Sequence, residues 1–177
     1  MPELTSTAVL NELFEDFEHT AWRLETQRGY EADQKSDRYQ RWARGEGYSA
    51  GGREAFLAGR RKLVEQGKRV ERVRIVDDPP TENQRYLLAG APATIEAGEE
   101  IRHLWRADAD RLGLPPSDFW LFDSRTLARF HHEDGRTLGL ELITDPAEVL
   151  KACQVRDAAW HFAIRYEEFA RRVPSAV

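Results

Sequence analysis

Apolar positions recur with two different periods along this chain, and each change of period marks an element. Leu10, Leu13, Phe14, Phe17 and Ala21 recur at helical spacing and predict an amphipathic helix over residues 6–20. Residues 21–26 then alternate, which predicts a strand with Trp22 and Leu24 on one side. Arg23 and Glu25 share its other side and read as an ion pair on a solvated surface. Phe56, Leu57, Leu63 and Val64 predict a helix over 53–66, stopped by Gly67. Val70, Val73, Ile75 and Val76 predict a strand over 68–77, closed by Pro79 and Pro80. Thr81 is placed to cap a helix through Tyr86 and Leu88 that Gly90 and Pro92 loosen. Gly98 opens a strand over 99–106, where Ile101, His103 and Trp105 alternate with Arg102 and Leu104.

Three further strands are expected between residues 114 and 144: Phe119–Phe122, a run with Leu127 and Phe130, and the alternating Leu138, Leu140 and Leu142. Asp134-Gly135 between the last two is a strong hairpin signal. Asp145 and Pro146 then begin a closing helical region that runs to Phe169, with Pro174 beyond it. Neither strict β-α alternation nor a meander fits this order. The expected fold is α+β (mixed α/β is possible), with helices covering a sheet of about six strands. One segment fits neither period. Residues 27–52 are polar and carry Gly29, Gly45, Gly47, Gly51 and Gly52, yet hold Tyr30, Tyr39, Trp42 and Tyr48. Those aromatics either pin the segment to the body as a lid or line a ligand site.

Bulk properties narrow the classes. The 177 residues fit a single domain over 1–177. Net charge is −5, which argues against nucleic acid as a partner on its own. Residues 53–74 are locally basic, with Arg53, Arg60, Arg61, Lys62, Lys68, Arg69, Arg72 and Arg74. This stretch reads as a solvated helix face plus a strand edge, with electrostatic nucleic-acid binding as an alternative. The single Cys153 allows no internal disulfide and reads as a small buried hydrophobe. No apolar run approaches ~20 residues and the start is acidic, so a cytoplasmic protein with no membrane role is expected.

Candidate chemistry is sparse. The chain has neither a Gly-x-x-x-x-Gly-Lys-Ser/Thr loop nor His-Glu-x-x-His. His131 and His132 are neighbours on a strand and point to opposite faces, so they do not ligate one metal without a bulge. His131 is a candidate acid–base group with Asp123, Glu141 or Glu25, and otherwise a partly exposed hairpin histidine. Arg74, Arg102 and Arg125 are a possible anion site. No metal and no cofactor are expected. The residues expected around a pocket are Trp22, Arg23, Glu25, Tyr30 and Asp33 facing Asp118, Trp120, Asp123, Arg125 and His131.

Two resemblances add to this. Trp22-Arg-Leu-Glu25, Arg72-Val-Arg-Ile-Val-Asp-Asp-Pro79, Ala97-Gly-Glu-Glu-Ile-Arg102, Asp118-Phe-Trp-Leu-Phe-Asp-Ser-Arg125 and Arg156-Asp-Ala-Ala-Trp160 occur in order. Together they resemble an uncharacterised actinobacterial domain family, often encoded beside helix-turn-helix regulators. Residues 69–170 also resemble half of a phospholipase-D-like domain, which divides the chain into residues 1–52 and a sheet-and-helix part over 53–177. The signature of that superfamily is His-x-Lys with an Asp five residues after the Lys. With its Asp on Asp123, Pro116 stands in the place of the nucleophilic His and Asp118 in that of the phosphate-binding Lys. The imidazole and the cation are both missing, so the chemistry they perform is expected to be absent. The resemblances imply a non-catalytic ligand- or partner-binding regulatory domain working with a helix-turn-helix regulator. The alternatives are a small enzyme of specialised metabolism and a nucleic-acid binder.

Overall fold

The first strand of the chain becomes the middle of the sheet. In the computed structural model, which describes residues 2–174, β1 (Thr20–Glu25) pairs in parallel with β2 (Arg69–Val76) and antiparallel with β4 (Phe119–Phe122). β3 (Glu100–Trp105) extends the parallel half, and β5 (Thr126–Glu133) and β6 (Arg136–Ile143) extend the antiparallel half. A short β7 (Ile164–Arg165) completes a seven-stranded sheet in the order β6-β5-β4-β1-β2-β3-β7. Residues 1–52 thus contribute a central strand and are not an addition to a 53–177 body.

Strand alternation sorts side chains onto two faces that differ in character. One face carries Trp22, Leu24, Val73, Ile75, Leu104, Phe119 and Leu121 in one apolar cluster, with Glu71, Glu100 and Arg102 toward the starts of β2 and β3 on the same side. It is covered by α6 (Arg106–Arg111) and α7 (Pro146–Phe162). Each fully buried leucine there contributes about 1.5–3 kcal/mol. The opposite face is divided. Ala21, Val70, Trp120, Phe122 and Phe130 pack with Phe17 and the apolar stripe of α1 (Val9–Asp16). Beyond Trp120 the same face becomes charged, with Arg23 beside Arg72 and Glu25 beside Arg74. α4 (Glu54–Glu65), α5 (Glu82–Glu96) and α8 (Tyr166–Arg172) lie on this side.

Several expectations need correction, each for a local reason. α1 ends at Asp16, short of residue 20. The side chain of Asp123, from the β4–β5 turn, accepts the backbone N–H groups of Glu18, His19 and Thr20 at 2.7–2.9 Å and starts the strand early. α5 runs unbroken through Gly90 and Pro92, where looseness was expected. Gly90 is there because the Tyr48 ring lies against the helix, and a Cβ would sit 2.8 Å from it. Thr81 and Gln84 form the capping box that starts this helix. The closing helical region is interrupted: α7 ends at Phe162, and residues 164–165 pair with the edge of β3 before α8 begins. Residues 27–52 are not a bare loop, since α2 (Glu31–Gln34) and α3 (Asp37–Ala43) form within them. Cys153 is only partly buried, against the apolar core. The Asp134-Gly135 hairpin forms as expected, with both residues at positive φ.

Among the described residues, His103 is a buried side chain with both polar atoms unsatisfied. His103 is fully buried, its ring stacked on Phe169 at 4.9 Å, and neither ring nitrogen meets a protein partner. Burial, helped by the charge of Arg74, pushes its pKa down to about 3. The unfolded chain therefore binds a proton below about pH 6.5 that the folded chain refuses, so stability falls as pH drops from 6.5 towards 3. Between pH 7.5 and 5 this costs about 2 kcal/mol. His103→Leu is expected to remove that loss and to leave stability at pH 7.5 equal or higher, as read from urea unfolding at the two pH values.

Candidate functional site

The charged half of the second face is built by register. Arg23 lies across from Arg72, and Glu25 across from Arg74, so four long side chains of two adjacent strands rise together. They join one chain of ion pairs. Asp118, just before β4, pairs with Arg23 at 3.2 Å, and Arg23 approaches Glu25 at 3.3 Å. Glu25 takes Arg74 at 2.5 Å and also takes Arg72. Arg72 continues to Glu99 at 2.6 Å, and Glu99 to Arg60 of α4 at 2.9 Å. No side chain in this chain of contacts is more than 12% exposed. Although Arg23 Nε lies within ion-pairing distance of Glu25, it is not aligned for a hydrogen bond, so that contact is electrostatic.

Aromatic rings separate this network from the apolar half. The Arg23 guanidinium lies 4.3 Å from the Phe130 ring centre, Arg72 lies 5.3 Å from Trp120, and Arg60 lies 4.6 Å from both Phe14 and Phe56. Burial alone would raise the pKa of Glu25, but Arg72, Arg74 and Arg23 outweigh it and hold the carboxyl well below the usual range. Glu99 is held down in the same way, against burial, by Arg72 and Arg60.

The segment between β1 and α4 folds back over this half of the face as a strap. The Tyr30 hydroxyl donates to Asp118 at 2.7 Å, and the N–H of Glu31 donates to the carbonyl of Gly135 at 3.0 Å. Asn83 of α5 accepts from Tyr30 N–H and donates to Asp33 at 3.2 Å. Tyr39 donates to Glu82 at 2.7 Å, and Tyr39, Trp42 and Tyr48 gather around Tyr86 with ring centres 5.0–5.7 Å apart. Tyr39 and Trp42 anchor the strap, while Tyr30 and Tyr48 also line a cavity of about 360 Å³ beneath it. Arg23, Glu25, Arg72 and Arg74 form its sheet side. The strap and the α4 entry supply Arg38, Arg53 and Phe56, and α5 supplies Tyr86 and Thr94.

The expected pocket residues do not all meet. Arg23, Glu25, Tyr30 and Asp33 line the cavity, Asp118 holds Arg23 and Tyr30 from behind, and Trp120 underlies Arg23 and Arg72. Trp22 is on the opposite face in the apolar core, as strand alternation requires. Asp123 is occupied by backbone N–H groups, and Arg125 is exposed in the β4–β5 turn. His131 bonds Glu141 at 3.1 Å on the adjacent strand and meets neither Asp123 nor Glu25. Arg74, Arg102 and Arg125 do not converge, because Arg102 points to the other face, where it stacks on Trp160 at 3.9 Å. The Arg23–Glu25 pair is buried where a solvated one was expected, and β2 is an interior strand, not an edge. Arg60, Arg72 and Arg74 of the basic stretch consequently point inward. An open groove of about 720 Å³ on the other face, at Trp22 and Trp160, is lined by Arg102 and Arg156, which already pair with Glu100 and Asp157. Among the described residues no three His, Cys, Asp or Glu side chains gather as metal ligands would.

Among the described residues, Glu25 is the one carboxylate shared by three guanidinium groups. Glu25→Gln leaves them mutually repelling in a buried site, and an equilibrium urea titration is expected to show a loss of about 3–5 kcal/mol. Glu141→Gln, at a part-exposed pair, is expected to cost about 1 kcal/mol or less.

Three comparisons bear on this architecture. A family model described as "Domain of unknown function (DUF6879)" matches residues 8–171. No curated protein matches the chain. Among solved structures, the crystal structure of a phospholipase D family member, Nuc from Salmonella typhimurium, is similar with a TM-score of 0.53. That match covers 90% of this chain and 89% of that one at 9% identity, and so is a likeness of fold. The mixed sheet with helices on both faces is thus a phospholipase-D-like fold, and the chain belongs to the DUF6879 family.

Proposed function

We propose that this chain is a non-catalytic ligand-binding domain whose ligand occupies the cavity between the sheet and the strap. The observation that carries the reading is the buried ion-pair chain forming the cavity wall. Burying so many charges contributes little net stability even when every pair is made, so a role beyond holding the fold accounts better for them. A concave site with a few fixed polar groups and aromatic walls is also the usual form of a small-molecule site.

The positions matched to the phosphodiesterase signature support binding over cutting. Asp118, matched to the Lys, is fully buried and accepts from Arg23, Tyr30 and both the N–H and hydroxyl of Thr26. Asp123, matched to the Asp, holds backbone. Pro116, matched to the His, is engaged through its carbonyl, which accepts from the Thr26 hydroxyl at 2.8 Å and from the Gln27 amide at 3.5 Å. None of the three has a group free to attack phosphorus. The enzyme alternative through His131 has Glu141 for a partner, away from the cavity. In the same proposal the domain acts in the cytoplasm as the regulatory partner of a helix-turn-helix protein. What supports that part is the resemblance of the five ordered motifs. The strap, which touches both the cavity and solvent, is the element such a partner would read.

The test is a thermal-shift screen of polar metabolites, followed by Ala32→Trp. Ala32 lines the cavity from an exposed position on α2, so the indole blocks the site without entering the core. The wild type is expected to be stabilised by at least one compound, and the variant to keep its own melting temperature while losing that response. Hydrolysis of bis(p-nitrophenyl) phosphate is expected to stay at the buffer rate. A response that survives Ala32→Trp, or hydrolysis lost on Asp123→Asn, would refute the proposal.

A further inference from the structure

Charge around the cavity does not balance. The four arginines of the ion-pair chain share Glu25, Glu99 and Asp118, leaving one positive charge over. Arg38 and Arg53 add two more and, among the described residues, neither pairs with a carboxylate. Arg53 donates only to neutral oxygens, the Tyr48 hydroxyl at 2.8 Å and the Thr94 hydroxyl at 3.2 Å. Arg38 donates weakly to the Gly52 carbonyl at 3.4 Å, and its Nε is buried with no partner at all. Asp33 is the one further acid on the cavity wall. Counting it as ionised, the site still carries an excess of two positive charges.

Guanidinium groups without acid partners in a partly desolvated cleft are a strong anion seat, because each offers parallel donors that match phosphate oxygens. The rest of the lining adds a second requirement. Tyr48 and Tyr86 stand 5.7 Å apart in tilted contact on one wall, and Phe56 lies under Arg53 at 4.6 Å. The parts of these rings that line the cavity give a ligand's flat ring an aromatic wall to pack against. The volume of about 360 Å³ is at the lower end for small-molecule sites.

Resting on the proposed binding role, we infer that the ligand is a small phosphomonoester bearing a flat ring, the class of the nucleoside monophosphates. Its dianionic phosphate sits between Arg38 and Arg53, and its ring lies against Tyr48 and Tyr86. A phosphomonoester carries between one and a half and two negative charges near neutral pH, which matches the excess of two. The Tyr48 hydroxyl already accepts from Arg53, so the same tyrosine ties the anion seat to the ring wall.

The test is isothermal titration of the full chain with adenosine 5′-monophosphate, guanosine 5′-monophosphate, adenosine and inorganic phosphate. At least one monophosphate is expected to bind, inorganic phosphate more weakly, and adenosine weakest. R53Q and R38Q are each expected to raise the Kd of that monophosphate roughly ten-fold or more, since a charge-assisted hydrogen bond is worth about 1.5–3 kcal/mol. R61Q, at an exposed arginine on α4, is expected to leave it unchanged. Circular dichroism melts confirm that all three variants fold. No heat with any phosphate-bearing probe at millimolar concentration overturns the inference. So does adenosine binding as tightly as its monophosphate, or equal weakening by R61Q. If a neutral metabolite instead binds and is blocked by Ala32→Trp, the phosphomonoester inference falls while the binding role stands. If binding survives Ala32→Trp, both fall.

Discussion

The carboxylate of Glu25 is the point on which the charged half of the sheet depends. It sits on the central strand, under a strap and beside two helices, and three guanidinium groups converge on it. Without it, Arg23, Arg72 and Arg74 would be like charges held a few ångströms apart in a medium that screens poorly. With it, they become a fixed array of donors whose spacing is set by β-sheet register. The strap and α4, above this charged half, are tied to it by polar contacts. The strap is tied by Tyr30 to Asp118, and α4 reaches the array through Arg60 and Glu99. An apolar core would have held these elements with less risk, since half-satisfied buried charges are costly.

The sheet's two faces answer different demands. The face under α6 and α7 is mainly an apolar layer, with charged side chains gathered at the groove around Arg102. The other is split by Trp120 and Phe130 into an apolar part under α1 and a polar part under the strap, and both rings also face arginines. In this chain the run from Asp118 to Asp123 supplies structural acceptors. Asp118 closes off one end of the ion-pair chain, and Asp123 fixes where β1 begins. The likeness to a phospholipase D family member is one of fold, and a function resides in particular side chains and not in the scaffold.

How much of this could be read from the residues depends on the kind of signal. The apolar patterns placed β1 to β4 within a residue or two and marked β5 and β6 without fixing their ends, and alternation put Arg23 and Glu25 on a common side. It did not say whether that side was wet or dry. The decisive clue was present in β2, where Arg72 and Arg74 alternate with Val73 and Ile75 in the same phase. Charge on one face of an interior strand implies a buried polar layer, but interior position is a property of topology. Read locally, the stretch looked like a solvated basic surface. The short β7 and α6 gave no period long enough to detect, and the strap's helices are too short for one. Trp22 and His131 were grouped with the site by sequence proximity, although their strand phase already placed them elsewhere. Arg38, Arg53 and Tyr48 lie in the segment with no period, and only the folding of the strap brings them over the sheet.

The grip of Asp123 on the start of β1 has a consequence for how this chain can change over evolutionary time. A side chain in one turn sets the first residue of a strand more than a hundred positions earlier, and thereby its phase against both neighbours. One residue gained or lost between Phe17 and Thr20, or within the β4–β5 turn, would rotate β1 by half a period. Trp22 and Leu24 would then meet the strap, and Arg23 and Glu25 would be driven into the apolar layer. Length variation is barred at that corner, whereas the exposed residues 43–47 before Tyr48 carry no such constraint on strand phase. Sequences sharing this architecture should therefore differ in the strap long before they differ in the spacing around Asp123.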